Sequence, residues 1–107
     1  MPEDSRPLTE TVYYVLLSLV EPRHGYGIMQ FVRAMTEGRV VLGAGTLYGA
    51  LSTLQEKGWI EPVGGGTGER KKEYQVTAKG RGVLIVEVGR LERLIRDGNA
   101  VLEGGAS

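Results

Sequence analysis

GAGTLYGALSTLQEKGWIEPVGGGTGERKKEYQVT, residues 43–77, changes its period halfway along. Leu47, Leu51 and Leu54 recur at spacings of four and three, which puts them on one face of a helix. Gly58 then stands where a glycine ends a helix. Beyond it Trp59-Ile60-Glu61-Pro62-Val63 is aromatic and β-branched, and Gly64-Gly65-Gly66-Thr67-Gly68 suits only a turn. Residues 69–76 alternate, with Tyr74 and Val76 on one side. The stretch predicts a helix over 43–57 followed by a β-hairpin over 59–76.

Toward the N-terminus, Thr9 is a candidate N-cap for a helix over 9–20, ended by Glu21-Pro22. Val12, Val15, Leu16 and Leu19 share a face, and Tyr13, Leu17 and Val20 flank it, so this helix is apolar over more than half its circumference. Ile28, Phe31, Val32 and Met35 predict a second, amphipathic helix over 25–35. Toward the C-terminus, Thr77 caps a last helix carrying Leu84, Val88, Leu91, Ile95 and Leu102, with Gly98 at the missing position of a heptad seam. No later helix in the sequence covers that seam, which leaves a second copy of the chain as the expected partner, with the first helix of the same chain as the alternative.

The composition agrees with one small domain. The 107 residues include 13 basic and 13 acidic side chains and no cysteine, and 41% are hydrophobic. A core of this size is thin, which favours burial against a second subunit. Without cysteine, disulfide frameworks, thiolate metal sites and cysteine nucleophiles are excluded, and a cytoplasmic location is expected. The apolar run 12–20 is too short for a membrane span, and the polar residues before it give no signal sequence. His24, the only histidine, has no acidic neighbour at helical spacing except Glu21, so it suggests a helix cap and neither a metal site nor a catalytic dyad. The glycine run contains no phosphate-loop motif and leads into a strand. The expectation is therefore a protein that is not an enzyme and has no cofactor.

Three helices, a hairpin and a long final helix are the order of a winged helix-turn-helix with an appended dimerisation helix, a mainly α fold with a β-hairpin wing. The division expected is 8–76 for the winged helix-turn-helix and 77–103 for the dimerisation helix. Within that order, His24-Gly25-Tyr26-Gly27-Ile28, Gly45-Thr46-Leu47-Tyr48 with Leu51 and Leu54, Gly58-Trp59-Ile60, and Arg70-Lys71-Lys72-Glu73-Tyr74 with Thr77 and Gly80 resemble the PadR family of bacterial transcriptional regulators. The resemblance runs from Val12 to Gly82, and the short C-terminal region is similar to that of the family's smaller members. It implies a homodimeric repressor on double-stranded operator DNA, often released by a small ligand. Gly43-Ala44 replaces the family's usual Ser-Pro or Thr-Pro, and Gly49 its common proline after the tyrosine.

With Leu47, Leu51 and Leu54 facing inward, a rotation of 100° per residue puts Gly45, Gly49, Ser52, Thr53 and Glu56 on the opposite face. Small residues let a backbone approach a groove, and Thr46 and Ser52 can donate to phosphate. Tyr48 lies on the flank, where its hydroxyl can reach a phosphate while its ring packs on the domain; a purely structural role is the alternative. Arg70, Lys71 and Lys72 make the wing locally basic in a neutral chain. The face lacks the Arg, Asn or Gln that reads bases by paired hydrogen bonds, and Glu56 opposes phosphate. Tyr13, Tyr14 and Trp59 are candidate walls of a pocket for a small apolar or aromatic effector. The competing reading is a winged-helix protein-interaction module without DNA affinity.

Overall fold

The computed structural model describes residues 6–64 and 72–104. Its elements run α1 (Glu10–Ser18), β1 (Arg23–His24), α2 (Gly25–Met35), α3 (Ala44–Glu56), β2 (Ile60–Val63), β3 (Glu73–Val76) and α4 (Ala78–Leu102). The three strands form one antiparallel sheet in the order β1-β3-β2. In the β2–β3 hairpin Ile60 stands opposite Val76 and Val63 opposite Glu73. This is the expected winged helix, with one strand more than the sequence suggests.

The first helix is capped by Thr9, whose hydroxyl accepts the Val12 N–H at 3.1 Å, as its sequence implies. It ends at Ser18, two residues before the predicted boundary. Pro22 has no N–H with which to reach the Ser18 carbonyl, so continuation would leave that buried oxygen unpaired. Arg23 Nε donates to it instead, at 2.7 Å, and the Leu19 carbonyl accepts the Val76 N–H at 2.8 Å. The helix end is thus given over to the sheet. Arg23 also lays its guanidinium 4.6 Å above the Phe31 ring and pairs through β1 with Tyr74. Two residues without β-branching carry no periodic signal, which is why the sequence does not reveal β1.

The second helix begins and ends as predicted. His24 caps it by accepting the Gly27 N–H on Nδ1 at 3.1 Å. At its other end the Thr36 hydroxyl donates to the Val32 carbonyl and accepts the Val40 N–H. The third helix closes with a Schellman motif: Gly58, at φ 77°, donates to Gln55, and Trp59 donates back to Leu54.

Val15, Leu16, Leu19, Ile28, Leu47 and Leu54 are almost wholly buried at the centre, and Trp59, Tyr74, Val83 and Leu84 extend the core toward α4. The start of α4 is tied down closely. The Trp59 carbonyl accepts the Thr77 N–H at 2.9 Å, and the Thr77 hydroxyl donates to the Gly58 carbonyl at 2.6 Å while capping Gly80. Gly80 packs directly against the Trp59 carbonyl, where a β-carbon would collide with backbone. Further along, the carboxylate of buried Glu87 takes a forked pair of hydrogen bonds from Arg90 (2.8 and 2.7 Å) and one from the Leu8 N–H. That tie holds the N-terminal arm, residues 6–9, on α4.

Two stability outcomes are expected. Gly80→Ala pushes a β-carbon into an immobile carbonyl and should cost about 1–3 kcal/mol in urea unfolding. Gly82→Ala, in the same helix with open space around it, should stabilise by about 0.5–1 kcal/mol. Hydrogen bonding from Arg90, and then from the Leu8 amide, holds the Glu87 carboxyl below its ordinary value of 4.5 against the opposing effect of burial. A carboxyl lowered in the folded state stabilises above that value and stops doing so as the pH falls through its folded value. The difference in Tm between wild type and Glu87→Gln should therefore narrow as pH drops from 4.5; a pH-independent gap would show that the tie is not ionic.

Candidate nucleic-acid interface

The buried leucines of α3 decide what it exposes. With Leu47, Leu51 and Leu54 in the core, Gly45, Thr46, Gly49, Ser52, Thr53 and Glu56 all lie on the outer surface. The 100° rotation therefore reads the exposed face correctly. Gly43 occupies the N-cap with no side chain to bond the first turn, so the amides there have no side-chain cap. The surface combines small residues, hydroxyls and an open helix start, which suits close approach by an oxygen-rich anion.

Tyr48 is half exposed, and its position is set by α2. The phenol lies directly over Gly25, where any β-carbon would strike the hydroxyl and the ring carbon bearing it. Gly25 is therefore the seat of Tyr48, and it fixes the first turn of α2 against α3. Tyr26, next in the chain, is exposed on that same turn and is not among the contact residues expected from sequence. Its signal is there to read: an aromatic residue just after a capping histidine, off the Ile28–Val32 stripe that enters the core.

On the wing, Lys72 is exposed and holds its Nζ 5.7 Å above the Tyr74 ring. Arg70 and Lys71 lie outside the described residues.

The three aromatic residues expected to line one pocket are not brought together. Tyr13 and Tyr14 meet edge to face, with ring centroids 5.6 Å apart, in a cleft of about 290 Å³ beside Glu87, Arg90 and Leu91. Trp59 belongs to another cavity, of about 440 Å³, between the N-terminal arm and α3. Consecutive positions on α1 turn toward α4, whereas Trp59 enters from the far end of α3.

The apolar stripe of α4 also needs a correction. Leu84 is buried in the chain's own core, and Leu91 is partly covered by its neighbours. Val88, Ile95 and Leu102 do point outward, Ile95 at 62% and Leu102 at 86% exposure, and Ile85, Leu94 and Val101 join them. Periodicity identifies an apolar face but does not say which rows the core of the same chain claims. Between α1 and α4 this face opens into a groove of about 470 Å³ lined by Leu17, Val20, Ile85 and Val88.

Among the described residues no helix is long and apolar enough to cross a membrane, and no His, Asp or Glu residues gather into a group that could hold a metal ion.

A family model described as the transcriptional regulator PadR-like family matches residues 13–85. No curated protein matches the chain. Its fold is similar to that of a PadR family transcriptional regulator from Eggerthella lenta, at 28% identity and TM-score 0.65 over 86% of this chain and 80% of that one. It is also similar to a transcriptional regulator from Clostridium thermocellum, at 24% identity and TM-score 0.70 over 90% and 92% of the two chains. A PadR family transcription regulator from Clostridium difficile gives 22% identity and TM-score 0.66 over 85% and 97%.

Proposed function

We propose, from the premise that this chain belongs to the PadR-like family of transcriptional regulators, that it works as a cytoplasmic homodimeric repressor whose hold on operator DNA is released by a small ligand. The observation that carries the DNA reading is the outward face of α3, small and hydroxyl-bearing, with Tyr48 seated beside it over Gly25. In this reading α3 enters the major groove. Gly45 and Gly49 admit the backbone, Thr46, Ser52 and Thr53 donate to phosphate oxygens, and Tyr48 spans to the adjacent strand. Arg70, Lys71 and Lys72 supply the cations of the wing.

A chain with equal numbers of acidic and basic groups has no general attraction for nucleic acid, so affinity must come from these local contacts. One reading head makes few of them. Two heads at fixed spacing gain from effective concentration, which assigns residues 77–103 their role as the joining helix and residues 8–76 theirs as the head. The first turns of α4 serve both units, since Val83 and Leu84 are core residues of the head. Val88, Leu91, Ile95 and Leu102 then meet the second copy, with Ile85, Leu94 and Val101 widening the interface. The groove between α1 and α4 continues that face, and Leu17 and Val20 extend it.

Two measurements test this reading. Alanine at Arg70, Lys71 and Lys72 together should weaken operator binding and lower the slope of log affinity against log salt by about 0.9 for each phosphate no longer neutralised. An unchanged slope in a folded triple variant would remove the wing from the interface. Ile95→Lys alters a side chain exposed in the single chain, so the head should stay folded while the joined form dissociates. It should sediment as a monomer and bind the operator at least about a hundredfold more weakly. A variant that still sediments as a dimer would refute the α4 interface.

A further inference from the structure

Gly25 is the first residue of α2, at a negative φ that any residue can adopt. Its backbone therefore does not call for glycine, in contrast to Gly38 and Gly58, whose φ angles are 82° and 77°. Glycine is also among the poorest helix formers, so at this position it weakens α2 unless something else requires it. What requires it is space. A β-carbon there would strike the Tyr48 hydroxyl and lie 2.9 Å from the ring carbon that bears it.

Tyr48 supplies the second observation. Its side chain is half exposed, and its hydroxyl has no hydrogen-bond partner among the described residues. A long side chain on a helix chooses between two χ1 rotamers, both leaning toward the helix N-terminus. No hydrogen bond makes that choice here, so packing does, and Gly25 is where the phenol end packs. The kind of contact also matters. At Gly80 an added β-carbon meets a backbone carbonyl, which cannot move, whereas at Gly25 it meets the far end of a side chain, which can. A β-carbon at Gly25 is thus accommodated by swinging the phenol aside, with little effect on the fold and a large one on where the hydroxyl stands.

We infer that Gly25 is a positioning residue for DNA binding, which acts by holding the Tyr48 hydroxyl at the flank of α3 where a phosphate oxygen accepts from it. This rests on the reading of Tyr48 as a phosphate contact given above. Gly25 itself is buried and offers no side chain to DNA. A donor already held in place loses less rotamer freedom on binding than one the DNA must order, so the seat raises affinity without adding a contact. Affinity and stability then separate at this one position: a larger residue at Gly25 loses the first and keeps the second.

The test is a double-mutant cycle on Gly25→Ala and Tyr48→Phe in the full chain. Binding is read by anisotropy of a fluorescein-labelled duplex that the wild type selects from a random pool, and stability by thermal melting. Tyr48→Phe keeps the ring and removes the donor, and should weaken binding about tenfold. Gly25→Ala should weaken it by a similar factor with little change in Tm. In the Tyr48→Phe background, Gly25→Ala should cost less than about twofold, because the hydroxyl it would displace is already gone. Gly25→Ala combined with Tyr48→Ala, which empties the seat, should melt no lower than Tyr48→Ala alone, since alanine is the better helix former. That comparison holds even should the single Gly25→Ala variant not fold. Additive losses in the cycle, wild-type affinity in Gly25→Ala, or a lower Tm for the variant with the emptied seat would each overturn the positioning role. Failure of the Tyr48 reading looks different: Tyr48→Phe would then bind as wild type does, and the contact would fall together with the residue that positions it.

Discussion

The carbonyl of Trp59 is the point on which the arrangement of the molecule depends. It accepts the Thr77 amide, Gly80 packs against it, and the amide of the same residue completes the C-terminal motif of α3. Three elements therefore meet within one residue of one another: the end of α3, the first strand of the hairpin and the start of α4. A helix that ends in a glycine-based motif has little freedom in its exit direction. A helix whose first turn is pressed onto a carbonyl has little freedom in its approach. The long helix is consequently aimed by backbone hydrogen bonds, and the outward face of α3 takes a fixed orientation relative to it.

A second glycine serves a comparable purpose at the other side of α3. Gly25 leaves the space that the Tyr48 phenol fills, so the start of α2 and the first turns of α3 approach more closely than side chains would permit. His24 caps that same turn, and the strand containing it pairs with β3, so one short segment joins helix, helix and sheet. Most other glycines among the described residues meet nothing within van der Waals reach. Gly45 and Gly49 of α3 and Gly82 and Gly98 of α4 are among these, so they leave open surface and serve no tight packing.

How far the sequence reveals this depends on whether each feature is local. The second helix is readable at both ends, because its cap and its apolar stripe are properties of neighbouring residues. The exposed face of α3 is equally readable, since three leucines fix its rotation. The end of α1 is not, because Arg23 and Val76 claim its last carbonyls from outside the helix. Leu84 reads as part of an outer seam for a similar reason: a heptad identifies an apolar row but not the body that buries it. Tyr13, Tyr14 and Trp59 share a chemistry but not a location, and only the packing of α1 against α4 separates them.

The same distinction bears on how affinity for DNA arises. The face that α3 presents has no arginine or lysine, and Glu56 stands at its far end. Strong attraction to phosphate cannot originate there. What the face provides is low bulk and hydroxyl groups, and these are worth most when the surface is held at close range by something else. In the proposed reading the wing offers charge and α4 a means of joining two heads, each weak in isolation. Each hydroxyl of α3 then counts for little beside the gain from joining two heads, and that gain exists only while both faces keep a fixed orientation. A neutral chain with a lightly built reading face therefore depends, in that reading, on how rigidly the Trp59 carbonyl and Gly25 hold α3 more than on any charge the helix carries.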